Sequence, residues 1–213
     1  MVTDAQQAAN ERAWLLRAML VLESPRAVFA ALRDDSDDAA RARAEPIVAL
    51  VWLAGIACVL ATPVAGRLLD DVEFDALLIA VWAFLGGGLF GIAVYFAGGG
   101  VLQLAGRVFG TRGSYRRARH VFGFAVAPLA LALVLYWPIR IAIQGSDVFR
   151  SGGGDGGHVL ADLFYVFVAW SLALLVIGVR TVHGWSWPRA AATVAVASAI
   201  GAAVLALGTL LGL

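Results

Sequence analysis

The chain lacks lysine altogether, has one cysteine and carries few charges. Its 16 basic residues are all arginine, and charged residues make up 15% of the 213, against about 25% in soluble domains. The lone cysteine, Cys58, excludes an internal disulfide framework. The formal net charge of +1 excludes the strongly basic field that general nucleic-acid binding requires, so we expect no nucleic-acid partner.

Apolar residues are correspondingly abundant, at 61% of the chain with a mean hydropathy of +0.83. A water-soluble fold of this size could not bury that much apolar surface. A helix crosses a bilayer core with about 20 apolar residues. Runs of suitable length predict an all-α, polytopic membrane bundle with five transmembrane helices, at residues 46–65, 76–106, 121–141, 159–179 and 190–213. The second run is long enough for one long or tilted helix but too short for two spans.

The segment before the first span, residues 1–45, predicts N-terminal amphipathic helices. Its first 12 residues are polar and no cleavage site follows an early apolar core, so we expect no cleaved signal peptide. Ser24 and Pro25 are typical of a helix start. One helical face carries Trp14, Leu15, Ala18, Met19 and Leu22. These helices either lie on the cytoplasmic membrane surface or pack on the bundle, and the two arrangements are compatible.

Arginine placement predicts the orientation. The five predicted spans divide the 16 arginines between the two sides of the membrane. Thirteen lie on the side that holds the N-terminus, and three lie on the other side. Cytoplasmic loops of membrane proteins carry the excess of basic residues. We therefore expect a multi-pass protein of the cell (inner) membrane with a cytoplasmic N-terminus and an outer C-terminus.

Two charged residues of the spans form a candidate pair. Asp162 lies near the start of the fourth span and Arg140 near the outer end of the third, so the two fall at similar depth. We predict a structural Arg140–Asp162 pair, with proton-relay or ion-site duty for Asp162 as the alternative. The second span is rich in glycine, and Gly87 and Gly91 have the spacing of a helix-packing face.

Other catalytic, metal and cofactor signatures are missing from the sequence. The three histidines have no metal-ligand spacing, and the glycine-rich loop at residues 151–158 lacks the Lys-Ser/Thr ending of a phosphate-binding loop. The acidic run at residues 34–38 lacks the ligand pattern of a calcium loop and favours a helix N-terminus instead. We expect no cofactor, no metal and no enzymatic activity.

A basic cluster before the third span is the candidate lipid-headgroup or partner face, and it consists of Arg112, Tyr115, Arg116, Arg117 and Arg119. Anionic headgroups attract such arginines by about 1 kcal/mol each. Ordinary orientation bias also explains the cluster without any ligand. Pro128, inside the third span, predicts a kink.

The stretch from Ala97 to Pro128, with the Ser24–Phe29 entrance and the five spans, resembles the Yip (Ypt/Rab-interacting protein) domain family. The family-like positions are Gly113, Tyr115, Arg116 and Pro128. The resemblance implies a cytosolic N-terminus and five helices. Eukaryotic members are associated with membrane traffic and small-GTPase binding, but this chain lacks their Asp-Leu-Tyr-Gly-Pro type motif. That partner is therefore not carried over, and the arginine- and alanine-rich composition indicates a prokaryotic member.

The sequence thus predicts a non-enzymatic membrane protein that organises lipids or protein partners through its cytoplasmic face. The expected partners are the lipid bilayer, anionic headgroups, and a membrane protein or a second copy of the chain. The alternative is a small transporter or channel that uses the glycine-rich second helix and Asp162. An intramembrane enzyme is a third and weaker alternative.

Overall fold

The regular structure of the chain is helical wherever it is described. The computed structural model describes residue 13 and residues 16–62, 76–111, 113–145 and 158–210. Residues 16–20 are helical, and the longer elements that follow are α1 Pro25–Ala31, α2 Asp37–Ala42, α3 Ala44–Leu60, α4 Ala76–Val108, α5 Tyr115–Ala125, α6 Ala127–Val134, α7 Tyr136–Gln144, α8 His158–His183 and α9 Trp187–Leu210.

Five helical segments of the described chain are long and apolar enough to cross a membrane. They are Asp37–Leu60, Ala80–Val108, Tyr115–Gln144, Asp162–His183 and Trp187–Val204. The all-α bundle with five transmembrane helices is therefore confirmed. The glycine-rich second span is one uninterrupted helix, because α4 continues through its glycines for 33 residues. At 1.5 Å per residue α4 is about 50 Å long, which exceeds the roughly 30 Å hydrocarbon core.

Prolines account for the interruptions of the first and third spans. The helical path breaks at Arg43 between α2 and α3, at Val126 between α5 and α6, and at Leu135 between α6 and α7. A proline follows each break within three residues: Pro46, Pro128 and Pro138. Proline has no N–H to donate, and its ring clashes with the carbonyl four residues earlier. The interruption at Val126 lies where Pro128 predicts a kink, and the breaks before Pro46 and Pro138 are additional.

The chain divides into two compact units. The first comprises Met1–Ile47, Val94–Ala125 and Leu172–Leu213, and the second comprises Val48–Ala93 and Val126–Ser171. In the first unit α1 packs on α8. Phe29 of α1 is fully buried, and a Cβ atom built at Gly178 of α8 would lie 2.9 Å from its ring. Residues 16–20 behave differently, because Leu16, Met19 and Leu20 of that stretch are exposed.

In the second unit, α3 and α4 cross with their backbones in contact. A Cβ atom built at Gly91 would lie 2.3 Å from the carbonyl oxygen of Val51, and one built at Gly55 would lie 2.2 Å from the carbonyl oxygen of Gly87. No side chain fits in such a space, so the glycines serve close helix packing. The packing interpretation of Gly87 and Gly91 is confirmed, and Gly55 on α3 is the partner that the sequence did not single out.

Candidate functional site

Asp35 is the centre of a charged cluster in the first unit. It lies in the loop between α1 and α2, and its carboxylate accepts hydrogen bonds from Ser114 Oγ at 2.5 Å and from Arg116 Nε at 3.0 Å. Arg116 also donates to the carboxylate of Asp37 at 2.5 Å and to the backbone carbonyl of Asp35. The start of α5 is thereby joined to the loop that precedes the first span.

Arg43 supplies the buried part of the cluster. Its side chain is 0% exposed and sits at the break between α2 and α3. Arg43 donates from Nε to His120 Nδ1 at 2.7 Å, from Nη1 to the carbonyl of Asp34 at 2.7 Å, and from Nη2 to the carboxylate of Asp35 at 3.3 Å. Arginine can only donate, so His120 Nδ1 must accept, and the imidazole proton is on Nε2.

Two serines set the geometry of the cluster by capping helices. Ser36 Oγ accepts from the backbone N–H of Ala39 at 3.4 Å and so caps α2, as expected for the acidic run. Ser114 Oγ accepts from the backbone N–H of Arg117 at 3.1 Å at the start of α5 while its hydroxyl proton goes to Asp35. One side chain therefore both starts α5 and connects it to the acidic loop.

The two loop carboxylates are stabilised in their charged form. Partial burial works against ionisation of Asp35, but hydrogen bonds from Ser114 and Arg116 and the charges of Arg116 and Arg117 outweigh it and hold its pKa below the ordinary value. The exposed Asp34 also has a lowered pKa, chiefly because its carboxylate accepts from the backbone N–H of Ser36 at 3.0 Å.

The arginines predicted as a headgroup or partner face make contacts within the protein. Besides Arg116, Arg117 donates to the carbonyl of Arg33 at 3.0 Å and lies 4.0 Å from the carboxylate of Asp35. The guanidinium of Arg119 lies 4.7 to 5.5 Å from the ring centres of Phe96, Tyr95 and Tyr115. Arg112, the remaining arginine of that face, lies outside the described residues.

The structure does not bring Arg140 and Asp162 together. Arg140 donates to Tyr136 Oη at 2.9 Å and to Gln144 Oε1 at 3.1 Å, both on its own helix α7. Asp162 is exposed, and within the described part of the chain it forms no ion pair with Arg140. A tyrosine and a glutamine one turn away therefore take the place of the expected carboxylate partner.

A small, mainly apolar cavity that includes a few polar groups lies next to the cluster, where α4 and α8 end. Thr111 Oγ1 is 3.2 Å from His183 Nδ1 and accepts from the backbone N–H of Gly113 at 3.1 Å. The cavity, also lined by Gln103 and Arg117, has a volume of about 20 Å³, which is room for about one water molecule. Among the described residues no three metal-ligating side chains come together.

The cluster pairs residues far apart in sequence, which is why sequence analysis missed it. Arg43 and His120 are 77 positions apart, and Asp35 and Arg116 are 81 apart. The available signal was charge complementarity between the acidic run at 34–38 and the basic run at 112–119. Nothing in either run alone indicates that Arg43 is the buried member.

Comparisons with known proteins give the family. Neither a curated protein nor a solved structure matches the chain. A family model described as the Yip1 domain matches residues 19–208, which include the acidic loop, the basic cluster and the five spans. The chain therefore belongs to the Yip1 domain family.

Proposed function

We propose that this protein is a non-enzymatic component of the cell membrane that organises lipids and protein partners through the arginine-rich end of its bundle. In this proposal the arginine-rich connections of the chain lie in the cytoplasm, with the N-terminus inside and the C-terminus outside. The bilayer is its permanent environment, and its specific contacts are made at the membrane surface.

The Asp35 cluster is the observation that carries the proposal. A fully buried arginine is expensive to desolvate, so an ion network around Arg43 is weak evidence for stability alone. Such a network fixes geometry instead. It holds the loop before the first span against α5, and this defines one shape for the surface formed by α1, α2 and the start of α5. A fixed surface of this kind suits recognition.

The charge distribution supports the proposed orientation. The chain segments of the first unit contain 13 arginines and eight carboxylates, and those of the second contain three arginines and seven carboxylates. The formal charges are therefore +5 and −4, although the whole chain carries only +1. The excess of arginine on one side is the pattern of a cytoplasmic face.

Site-specific photo-crosslinking in living cells tests the proposal. A photoreactive amino acid replaces Arg41, which is exposed on α2, and in a matched variant it replaces Val166, which is 57% exposed on α8. We expect discrete protein adducts from position 41, reduced by Asp35→Asn, and only lipid adducts from position 166.

Two outcomes would contradict the proposal. One is the absence of protein adducts at position 41 together with discrete adducts at position 166. The other is ion or proton flux in proteoliposomes that is lost in Asp162→Asn, because such flux would favour a transporter.

A further inference from the structure

The ring of Trp187 in the first unit lies close to two arginines that make no ion pair within the described part of the chain. The guanidinium carbon of Arg180, on α8, lies 4.5 Å from the centre of the indole ring, and that of Arg26, on α1, lies 5.9 Å from it. Trp187 begins α9 and is 44% exposed. Residues from three helices thus meet at one partly exposed ring, and two positively charged guanidinium groups lie beside it.

Neighbouring arginines at the same end of α8 are satisfied by the protein itself. Arg33 donates from Nε and Nη2 to the carbonyl of Thr181 at 3.1 and 2.6 Å. Arg189 donates to the carbonyl of Phe109 and stacks 4.2 Å from the centre of Trp185. Backbone carbonyls therefore occupy both of these guanidinium groups.

Arg26 and Arg180 differ from these neighbours. In the described residues neither makes an ion pair, and Arg180 Nε is buried without a hydrogen-bond acceptor. Glu23, one turn before Arg26, is exposed and forms no ion pair with it there. A buried donor without an acceptor costs free energy, and two cations on one ring repel each other. An anion that contacts both guanidinium groups beside the ring would lower the repulsion between them and supply the acceptor that the Arg180 guanidinium lacks.

The surroundings identify the anion. Interfacial tryptophans lie at the level of lipid headgroups, and Trp187 is the first residue of a membrane-spanning helix. Guanidinium groups bind phosphate oxygens in a bidentate manner, with hydrogen bonds strengthened by charge. We propose that Arg26, Arg180 and Trp187 form a binding site for the phosphate of an anionic phospholipid headgroup. This inference deepens the proposed function, because it names a lipid class and a site away from the Asp35 cluster.

Native mass spectrometry of the full-length protein in detergent micelles tests the site. The probe is phosphatidylglycerol, and the parallel arms use phosphatidylcholine and inorganic phosphate. We expect the protein to retain phosphatidylglycerol in preference to both. Arg26→Gln with Arg180→Gln should weaken that binding by about thirty-fold, from roughly 1 kcal/mol per arginine. Arg26→Lys with Arg180→Lys, which keeps the charge and loses the guanidinium fork, should weaken it less.

A matched variant separates the site from general electrostatics. Arg41→Gln with Arg107→Gln removes the same charge from two exposed arginines and should bind phosphatidylglycerol as the unmodified protein does. Equal loss in both double variants, or no loss in the first, would overturn the site. Equal retention of phosphatidylcholine or inorganic phosphate would overturn the lipid assignment. If Arg180→Gln prevents folding, Arg26→Gln alone is measured, since Arg26 is exposed, and unchanged binding overturns the site.

The two proposals fail separately. Loss of phosphatidylglycerol in the Arg26 and Arg180 variant while crosslinks from position 41 are absent would leave the lipid site standing and remove the proposed partner surface. Crosslinks from position 41 with unchanged lipid binding in that variant would do the reverse.

Discussion

At the scale of single residues, Asp35 matters because it compensates a positive charge that the protein has taken out of water. Arg43 is fully buried, and Asp35 is the carboxylate to which it is ion-paired. The same carboxylate holds Arg116 and Ser114. Removing one partner of a buried pair is costly, because the other charge stays buried without compensation.

Asp35→Asn should therefore lower the free energy of unfolding by about 3 kcal/mol. Thermal unfolding in detergent, followed by circular dichroism, measures the change. Asp38→Asn is the matched control, since Asp38 is exposed in the same acidic run and should change stability by less than about 0.5 kcal/mol. Equal destabilisation by the two variants would mean that the charge of the run, rather than the Asp35 contacts, matters.

The lowered pKa of Asp35 gives this contribution a direction with pH. A carboxyl with a pKa below its ordinary value of 3.8 stabilises the folded state above that value and loses the contribution as pH falls through the lowered one. The stability difference between the unmodified protein and Asp35→Asn should be constant from pH 7 to about 5. It should shrink below pH 4, and a difference that persists unchanged at pH 2 would argue against ionic pairing at Asp35.

At the scale of helices, the contact of α3 with α4 depends on glycine at positions where a single methyl group collides with backbone. A Cβ at Gly91 would approach the Val51 carbonyl to 2.3 Å, a distance that neither helix can relieve by a side-chain movement. The contact therefore depends on the close approach of two helix backbones, and the Trp52 ring of α3 packs beside them on Gly88 of α4.

Gly91→Ala should destabilise the protein by about 1–3 kcal/mol, the usual cost of overpacking. Gly201→Ala on α9 is the control, because nothing lies within 4 Å of a Cβ there and alanine is the better helix former. We expect the control to be neutral or slightly stabilising in the same thermal unfolding experiment. Similar losses at both positions would contradict the close packing of α3 on α4.

The helices show what the sequence could predict and what it could not. Apolar runs define the five spans because the bilayer demands about 20 apolar residues regardless of the partner helices. The breaks at Arg43 and Leu135 follow from Pro46 and Pro138 by the same steric rule that predicts the kink at Pro128. The contact between Gly55 and Gly87 could not be predicted, because a glycine in one helix does not identify the helix that it meets.

For the candidate site the limit is similar. The basic run predicts a headgroup or partner face, or orientation bias alone, and the sequence does not show that Arg116 and Arg117 also lie against Asp35. For Arg140 the sequence predicts a carboxylate partner, whereas Tyr136 and Gln144 accept from its guanidinium group. In both cases charge type was evident from the sequence, while the identity of the neighbour depends on tertiary packing.

At the scale of the whole molecule, the near-neutral net charge conceals two units of opposite sign. The segments of the first unit carry +5 and those of the second −4. A polytopic protein with this charge distribution should insert with its arginine-rich connections in the cytoplasm, where basic loops are retained. The partner surface and the lipid site proposed above both belong to the first unit, and both carry arginines of these connections or of their flanking helix ends.

Sided cysteine labelling tests this orientation, the central claim, most directly. Cys58→Ala provides the background for two single-cysteine variants, Arg41→Cys in the first unit and Thr62→Cys in the second, both at exposed positions. A membrane-impermeant maleimide is applied to right-side-out vesicles before and after they are opened. We expect Thr62→Cys to react in closed vesicles and Arg41→Cys to react only in opened ones. Reaction of Arg41→Cys in closed vesicles, with Thr62→Cys protected, would contradict the account.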